Sequence, residues 1–132
     1  MKAAFVALAL MWPASAYASS PDKFGEICVG TETISSEKQP EKMVPYSMTF
    51  SIDLASGHYC YAECKAWQTH KISDATSNPI KLADVRGAPT ERLLTFDRRT
   101  GKLTDHQVVT LFGKVEGFTT ATCQAAPFHA PD

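Results

Sequence analysis

The chain has 132 residues, 44% of them hydrophobic, with 13 basic against 14 acidic side chains and four cysteines. That length holds one domain with a single core, or a leader and one domain, and leaves no room for two comfortable ones. A formal net charge of −1 removes the usual basis of nucleic-acid affinity, in which clustered basic residues neutralise phosphates, so no nucleic acid is expected as a partner.

Residues 1–18 speak for the compartment. Lys2 precedes an apolar run over 3–12 that is too short to span a bilayer, and Ala16 and Ala18 make an A-x-A cleavage pattern. This is the layout of a secretory signal peptide. The expected mature chain is one domain over 19–132, with 12 basic and 14 acidic residues and a net charge of −2. No cysteine follows the cleavage point at once to carry a lipid, and no later apolar run is long enough for a membrane span. A periplasmic or secreted location is expected.

In the mature part, 24–33 reads as a strand with Ile27 and Val29 on one face and Cys28 on the other. The charged segment 35–42 reads as a surface loop closed by Pro45. The clearest pattern follows at 46–54, where every even position from Tyr46 to Leu54 is apolar and every odd one polar, the signature of a half-buried strand. Ala55, Ser56 and Gly57 break it, and extended chain resumes at 58–61 as the return arm of a hairpin. β-branched and aromatic residues recur over 65–72, and Pro79 precedes the short apolar pair Ile80 and Leu82. Gly87 and Pro89 make 86–91 loop-like. Residues 92–97 alternate through Leu94 and Phe96, and Arg98, Arg99, Thr100 and Gly101 supply a turn whose glycine can take positive φ before Lys102 and Leu103 begin a returning strand. The run 108–112 is strongly β in composition, Gly113 and Gly117 bracket a turn, and 118–123 is the final strand. From about 125 onward, two prolines point to an irregular tail on the surface. Seven or so short strands with turn signals about every ten residues predict an all-β fold, a small antiparallel sandwich or barrel stapled by disulfides.

An even cysteine count in an exported chain of this size reads as two disulfides. Cys60 and Cys64 would lie about 13 Å apart along a straight strand, against the roughly 4.4–6.8 Å a disulfide accepts, so pairing them requires the chain to turn. That pairing is preferred because it leaves Cys28 and Cys123 to join the two terminal strands.

The segment from Cys60 to Lys65 is one residue longer than a haem-attachment motif and has Lys65 where the axial histidine belongs. It is also too long for a C-x-x-C redox pair, and it reads as a disulfide-closed turn; no cofactor is expected. His58, Cys60, Cys64 and His70 contain the right atoms for zinc, but zinc needs thiolates that an oxidising compartment withholds, and no metal is assigned. There is no G-x-S-x-G, no H-E-x-x-H and no glycine-rich phosphate loop, so no residue is assigned a catalytic role. Tyr59, Tyr61 and Trp67 fall at odd positions around the cysteine turn and would share a face with Lys65 along extended chain. Such a stripe is either cross-strand packing or, if exposed, the candidate binding surface.

The order Asp53-Leu54, Cys60-x-x-x-Cys64, Arg99-Thr100-Gly101-x-Leu103, then Cys123 with Pro127-Phe128, resembles a group of small exported bacterial proteins with no assigned activity. The resemblance covers most of the mature chain and implies export and disulfides. The general plan is also similar to that of periplasmic lysozyme inhibitors, an analogy of architecture without an inhibitory motif to align. The function these observations favour is a non-catalytic binding or structural module of the cell envelope, with an envelope protein or glycan as partner. The alternative is a small periplasmic hydrolase.

Overall fold

The structure, a computed structural model, describes residues 22–132; the expected signal peptide lies outside them. Eight strands follow one another in chain order: β1 (Lys23–Ser36), β2 (Gln39–Asp53), β3 (His58–Tyr61), β4 (Thr69–Lys71), β5 (Ile80–Val85), β6 (Thr90–Asp97), β7 (Lys102–Val109) and β8 (Val115–Ala126). They form one antiparallel sheet in the order β4-β3-β2-β1-β8-β7-β6-β5. Apart from β4 and β5, which end the sheet, each strand lies beside its neighbours in sequence, and β1 also pairs with β8. The two ends of the sheet meet where Asp74 bridges Lys81, so the whole is a nearly closed up-and-down barrel.

The alternation of side chains fixes which face is the lumen. On β2, Phe50 and Ile52 point inward and are buried, as are Leu94 and Phe96 on β6 and Leu103 on β7. With Phe24, Ile72, Ile80 and Leu82 they fill one end of the barrel, each contributing roughly 1.5–3 kcal/mol by leaving water. The Arg98 guanidinium, at the β6–β7 turn, lies 4.1 Å from the centre of the Phe24 ring and covers it. The outer face of β1, β7 and β8 is rich in threonine, with the Thr95 and Thr104 hydroxyls 2.6 Å apart across two strands.

Closure rests on the β1–β8 seam. Cys28 stands opposite Cys123 in register and is bonded to it. Next to this bridge, a Cβ on Gly30 would overlap the Thr120 carbonyl oxygen, so the close approach of the two strands requires glycine there. The second bridge joins Cys60 to Cys64. The chain turns between them through Ala62 (φ 53°) and Cys64 (φ 56°), which is the turn that pairing demanded.

Several sequence expectations are corrected. The charged segment 35–42 is not a loop: β1 and β2 continue to a two-residue turn at Glu37 and Lys38. Pro40 and Pro45 are tolerated because β3 pairs only with the far end of β2, from Phe50 to Asp53, and leaves the proline edge without a ladder to supply. The run 108–112 splits, since β7 ends at Val109 while Leu111 and Phe112 stand exposed at a hairpin tip. Gly117 lies inside β8, and only Gly113 takes positive φ. In place of a strand over 65–72 there is a 3₁₀ turn at Ala66–Gln68 followed by the short β4. The tail is irregular beyond Ala126, as expected, but it is tied down. The His129 amide donates to Ser51 Oγ at 2.8 Å, and the Asp132 amide donates to the Cys64 carbonyl at 3.1 Å.

The two bridges close loops of very different length, with sequence separations of 95 and 4. Replacing Cys28 and Cys123 by serine should therefore cost on the order of 2–3 kcal/mol more than replacing Cys60 and Cys64, in the loop-entropy account. Urea unfolding of the two double variants measures the difference, and equal midpoints would contradict it.

Candidate functional site

The end of the barrel filled by Phe24, Ile52 and Phe96 is apolar; the other end is not. Alternation continues inward from Leu94 to Arg92 on β6, from Leu103 to Asp105 on β7, and from Met48 to Tyr46 on β2, so polar side chains enter the lumen. Arg92 and Asp105 form a two-pronged ion pair, Nε to Oδ1 at 3.1 Å and Nη2 to Oδ2 at 2.9 Å. Gln107 adds a hydrogen bond to the same carboxylate at 3.1 Å. The Asp105 side chain is only 5% exposed, whereas that of Arg92 is 31% exposed: the carboxylate is sealed in and the guanidinium faces outward. Both tyrosines near this pair are held in the neutral form. Burial, reinforced by the Asp105 carboxylate, pushes the Tyr46 phenol up to about 12, and burial raises that of Tyr59.

The outward side of Arg92 opens onto a gap in the barrel wall. At one end the β4–β5 seam is zipped by hydrogen bonds from the Ser73 amide to the Leu82 carbonyl and between Asp74 and Lys81 in both directions. The Asp74 carboxylate ties the connecting turn by accepting from the Thr76 and Ser77 amides and the Thr76 hydroxyl. Those Thr76 bonds hold its pKa below the ordinary value. Beyond this zip the strands part and leave a cleft of about 590 Å³, lined by Tyr59, His70, Lys71, Ile72, Leu82, Asp84 and Arg92 among others.

The residues around the cysteine turn form the rim. His70 stands opposite Tyr59 in register, with their rings 5.7 Å apart. It stacks on Tyr61 at 5.9 Å and 6°, and Tyr61 meets Trp67 edge-on at 6.3 Å. The expected shared face along extended chain is replaced by a bent cluster, because the chain turns at Ala62 and Cys64. Tyr59 is 3% exposed and faces the lumen, Tyr61 is half-buried, and Trp67 is 67% exposed. Lys65 does not join them; it heads the 3₁₀ turn.

Sequence reading missed Tyr46, Arg92 and Asp105. The signal was present: an arginine in step with Leu94 and Phe96, and an aspartate in step with Leu103, both place charge on an apolar face. Of the other candidates, the Cys60 and Cys64 sulfurs are joined to each other, which removes the thiolates a zinc site would use. His106 lies on the opposite outer face, paired with Glu116 at 2.7 Å and set edge-on to Phe118. Among the described residues the histidine rings that are hydrogen-bonded, His58 and His106, meet the Ser56 carbonyl and the Glu116 carboxylate. The chain matches no protein-family model, no curated protein and no solved structure. The functional reading accordingly rests on the cleft itself.

Two tests address the lumen. Asp105→Ala should destabilise the fold by on the order of 2–3 kcal/mol, because it strands the Arg92 charge in a half-buried site. Leucine at both positions should cost less than the sum of the single changes, and a strictly additive cycle would show the pair to be uncoupled. Tyr46 should make the fold alkali-sensitive. Between its ordinary value of 10.0 and about 12, the unfolded phenol ionises while the folded one keeps its proton, so stability falls as pH rises through that window. Tyr46→Phe should flatten the decline of the urea midpoint between pH 9.5 and 11.5.

Proposed function

We propose that this protein is an exported, non-catalytic binding module of the cell envelope and that it takes its ligand at the β4–β5 seam. The observation that carries this is the unfilled cleft beside Arg92. A barrel whose opposite end is packed with aromatic and aliphatic side chains leaves one wall open where polar groups converge, the usual form of a small-ligand site. The frame around it is rigid. Cys60–Cys64 fixes the turn from which Tyr61 and Trp67 project, and the tail is tied over the outer side of that turn through Ser51 and Cys64. Pre-organisation of this kind lowers the ordering cost of binding. Two disulfides suit a non-reducing environment, in keeping with the leader-like residues 1–18.

An envelope glycan is the favoured partner. Aromatic rings at the mouth offer flat apolar faces to a sugar ring, while the lumen offers hydrogen-bonding groups. The test is a titration of the ¹⁵N-labelled mature chain with soluble peptidoglycan fragments and with envelope proteins, lysozyme included. Shifts should map to Tyr59, His70 and Arg92 and spread to Trp67. Trp67→Ala, at an exposed position, should weaken binding several-fold while leaving the thermal midpoint within about 1 kcal/mol equivalent of the parent. Binding that maps to the threonine-rich outer face or to the Leu111 and Phe112 tip, with the cleft signals still, would overturn the proposal.

A further inference from the structure

Resting on the seam as the binding site, the geometry points to its chemical preference: we infer that the cleft is an oxyanion site, in which Arg92 and the Tyr59 hydroxyl receive a carboxylate or phosphate group of the ligand.

Tyr59 is the first ground. It is 3% exposed and lines the cleft, yet among the described residues its hydroxyl has no hydrogen-bond partner. Among the described residues no sealed side-chain polar atom lacks a partner, so this hydroxyl reaches accessible space; Tyr59 borders both the cleft and a second hollow beside Ser51 and Phe128, and the Arg92 and Asp105 charges that act on its phenol place the hydroxyl on the cleft side. A phenol buried to that extent ordinarily finds a partner within the fold. Here the partner position is left to whatever enters.

Arg92 is the second. Asp105 engages Nε and one Nη2 proton, and a guanidinium carries five donors in a fixed fork. The remaining donors lie on the edge away from Asp105, and Arg92 lines the cleft. Asp105 thus acts as a positioning residue: it holds the plane of the guanidinium and turns its free edge toward the opening. A fork fixed in this way suits two oxygens of one anion.

The balance of donors and acceptors decides between an anion and a neutral hydroxyl. A sugar hydroxyl donates as well as accepts, and the carboxylate that lines the cleft, Asp84, and the one that holds Arg92, Asp105, are already committed. Asp105 serves Arg92 and Gln107, and Asp84 serves Arg86 at 3.1 Å and Lys81 at 3.9 Å. What is left over is donors, with Lys71 adding a positive charge at the rim. A group that brings acceptors and negative charge fits that surplus; a neutral alcohol fits half of it.

The experiment titrates the mature chain with N-acetylmuramic acid, N-acetylglucosamine 6-phosphate and neutral N-acetylglucosamine, followed by amide and arginine Nε–H shifts. Both acidic sugars should move the Arg92 Nε–H signal and bind at least tenfold more tightly than the neutral one; the tighter of the two identifies carboxylate or phosphate as the natural group. Tyr59→Phe keeps the ring and removes the donor, and should weaken the acidic sugars about tenfold without changing the affinity of the neutral one. Neutral and acidic sugars binding alike at the cleft would overturn the oxyanion assignment and leave the seam as the site. If envelope fragments move cleft signals but none of the three sugars does, the assignment also fails. If fragments bind elsewhere, it is the seam itself that is refuted.

Discussion

The pairing of the first strand with the last is the contact on which the rest of the molecule depends. Every other strand pair joins neighbours in sequence, so each could form as an isolated hairpin and would be marginal alone. Only β1 against β8, held by Cys28–Cys123, bends the ribbon of hairpins into a wall with an inside. The lumen exists because that seam closes, and with it the burial of Leu94, Leu103 and Phe96. Gly30 shows how tightly the closure is drawn, since one more carbon atom there would collide with the facing backbone.

Closure at β1–β8 leaves its opposite, the β4–β5 seam, to absorb the misfit. β3 and β4 have four and three residues, whereas β1 and β2 have 14 and 15, so the short pair cannot wall off the full height of the barrel. The sheet zips where Ser73 and Asp74 reach Lys81 and Leu82 and stays open above. A polar lumen at the open end and an apolar one at the closed end follow the same logic. Groups that keep some access to water tolerate charge, as Arg92 does, and its carboxylate partner can be buried because it is paired and hydrogen-bonded.

Much of this was legible in the chain, for physical reasons that also explain what was not. The strand 46–54 was plain because one of its faces is core and the other is water, which imposes period two. The bridges were plain because a span of four residues must turn and two terminal strands need a clamp. By contrast, the outer halves of β1 and β2 are wet on both faces, so their composition is that of a loop although their backbone is a ladder. The run 108–112 misled because apolar content alone does not say where a strand stops; Leu111 and Phe112 belong to the turn. The aromatic rim was found as a set of residues but not as a shape, since the left-handed backbone of Ala62 and Cys64 has no signature in non-glycine residues.

The up-and-down order has a consequence for how the chain is made. Hairpins between sequence neighbours close over short spans, whereas the β1–β8 seam must bring together residues 95 apart. Cys60 and Cys64, four apart, meet at a far smaller loop-closure cost than Cys28 and Cys123. Once an oxidising compartment joins the near pair, the two wrong pairings of the three that four cysteines allow lose their partners, and only the clamp on the terminal strands is left to form.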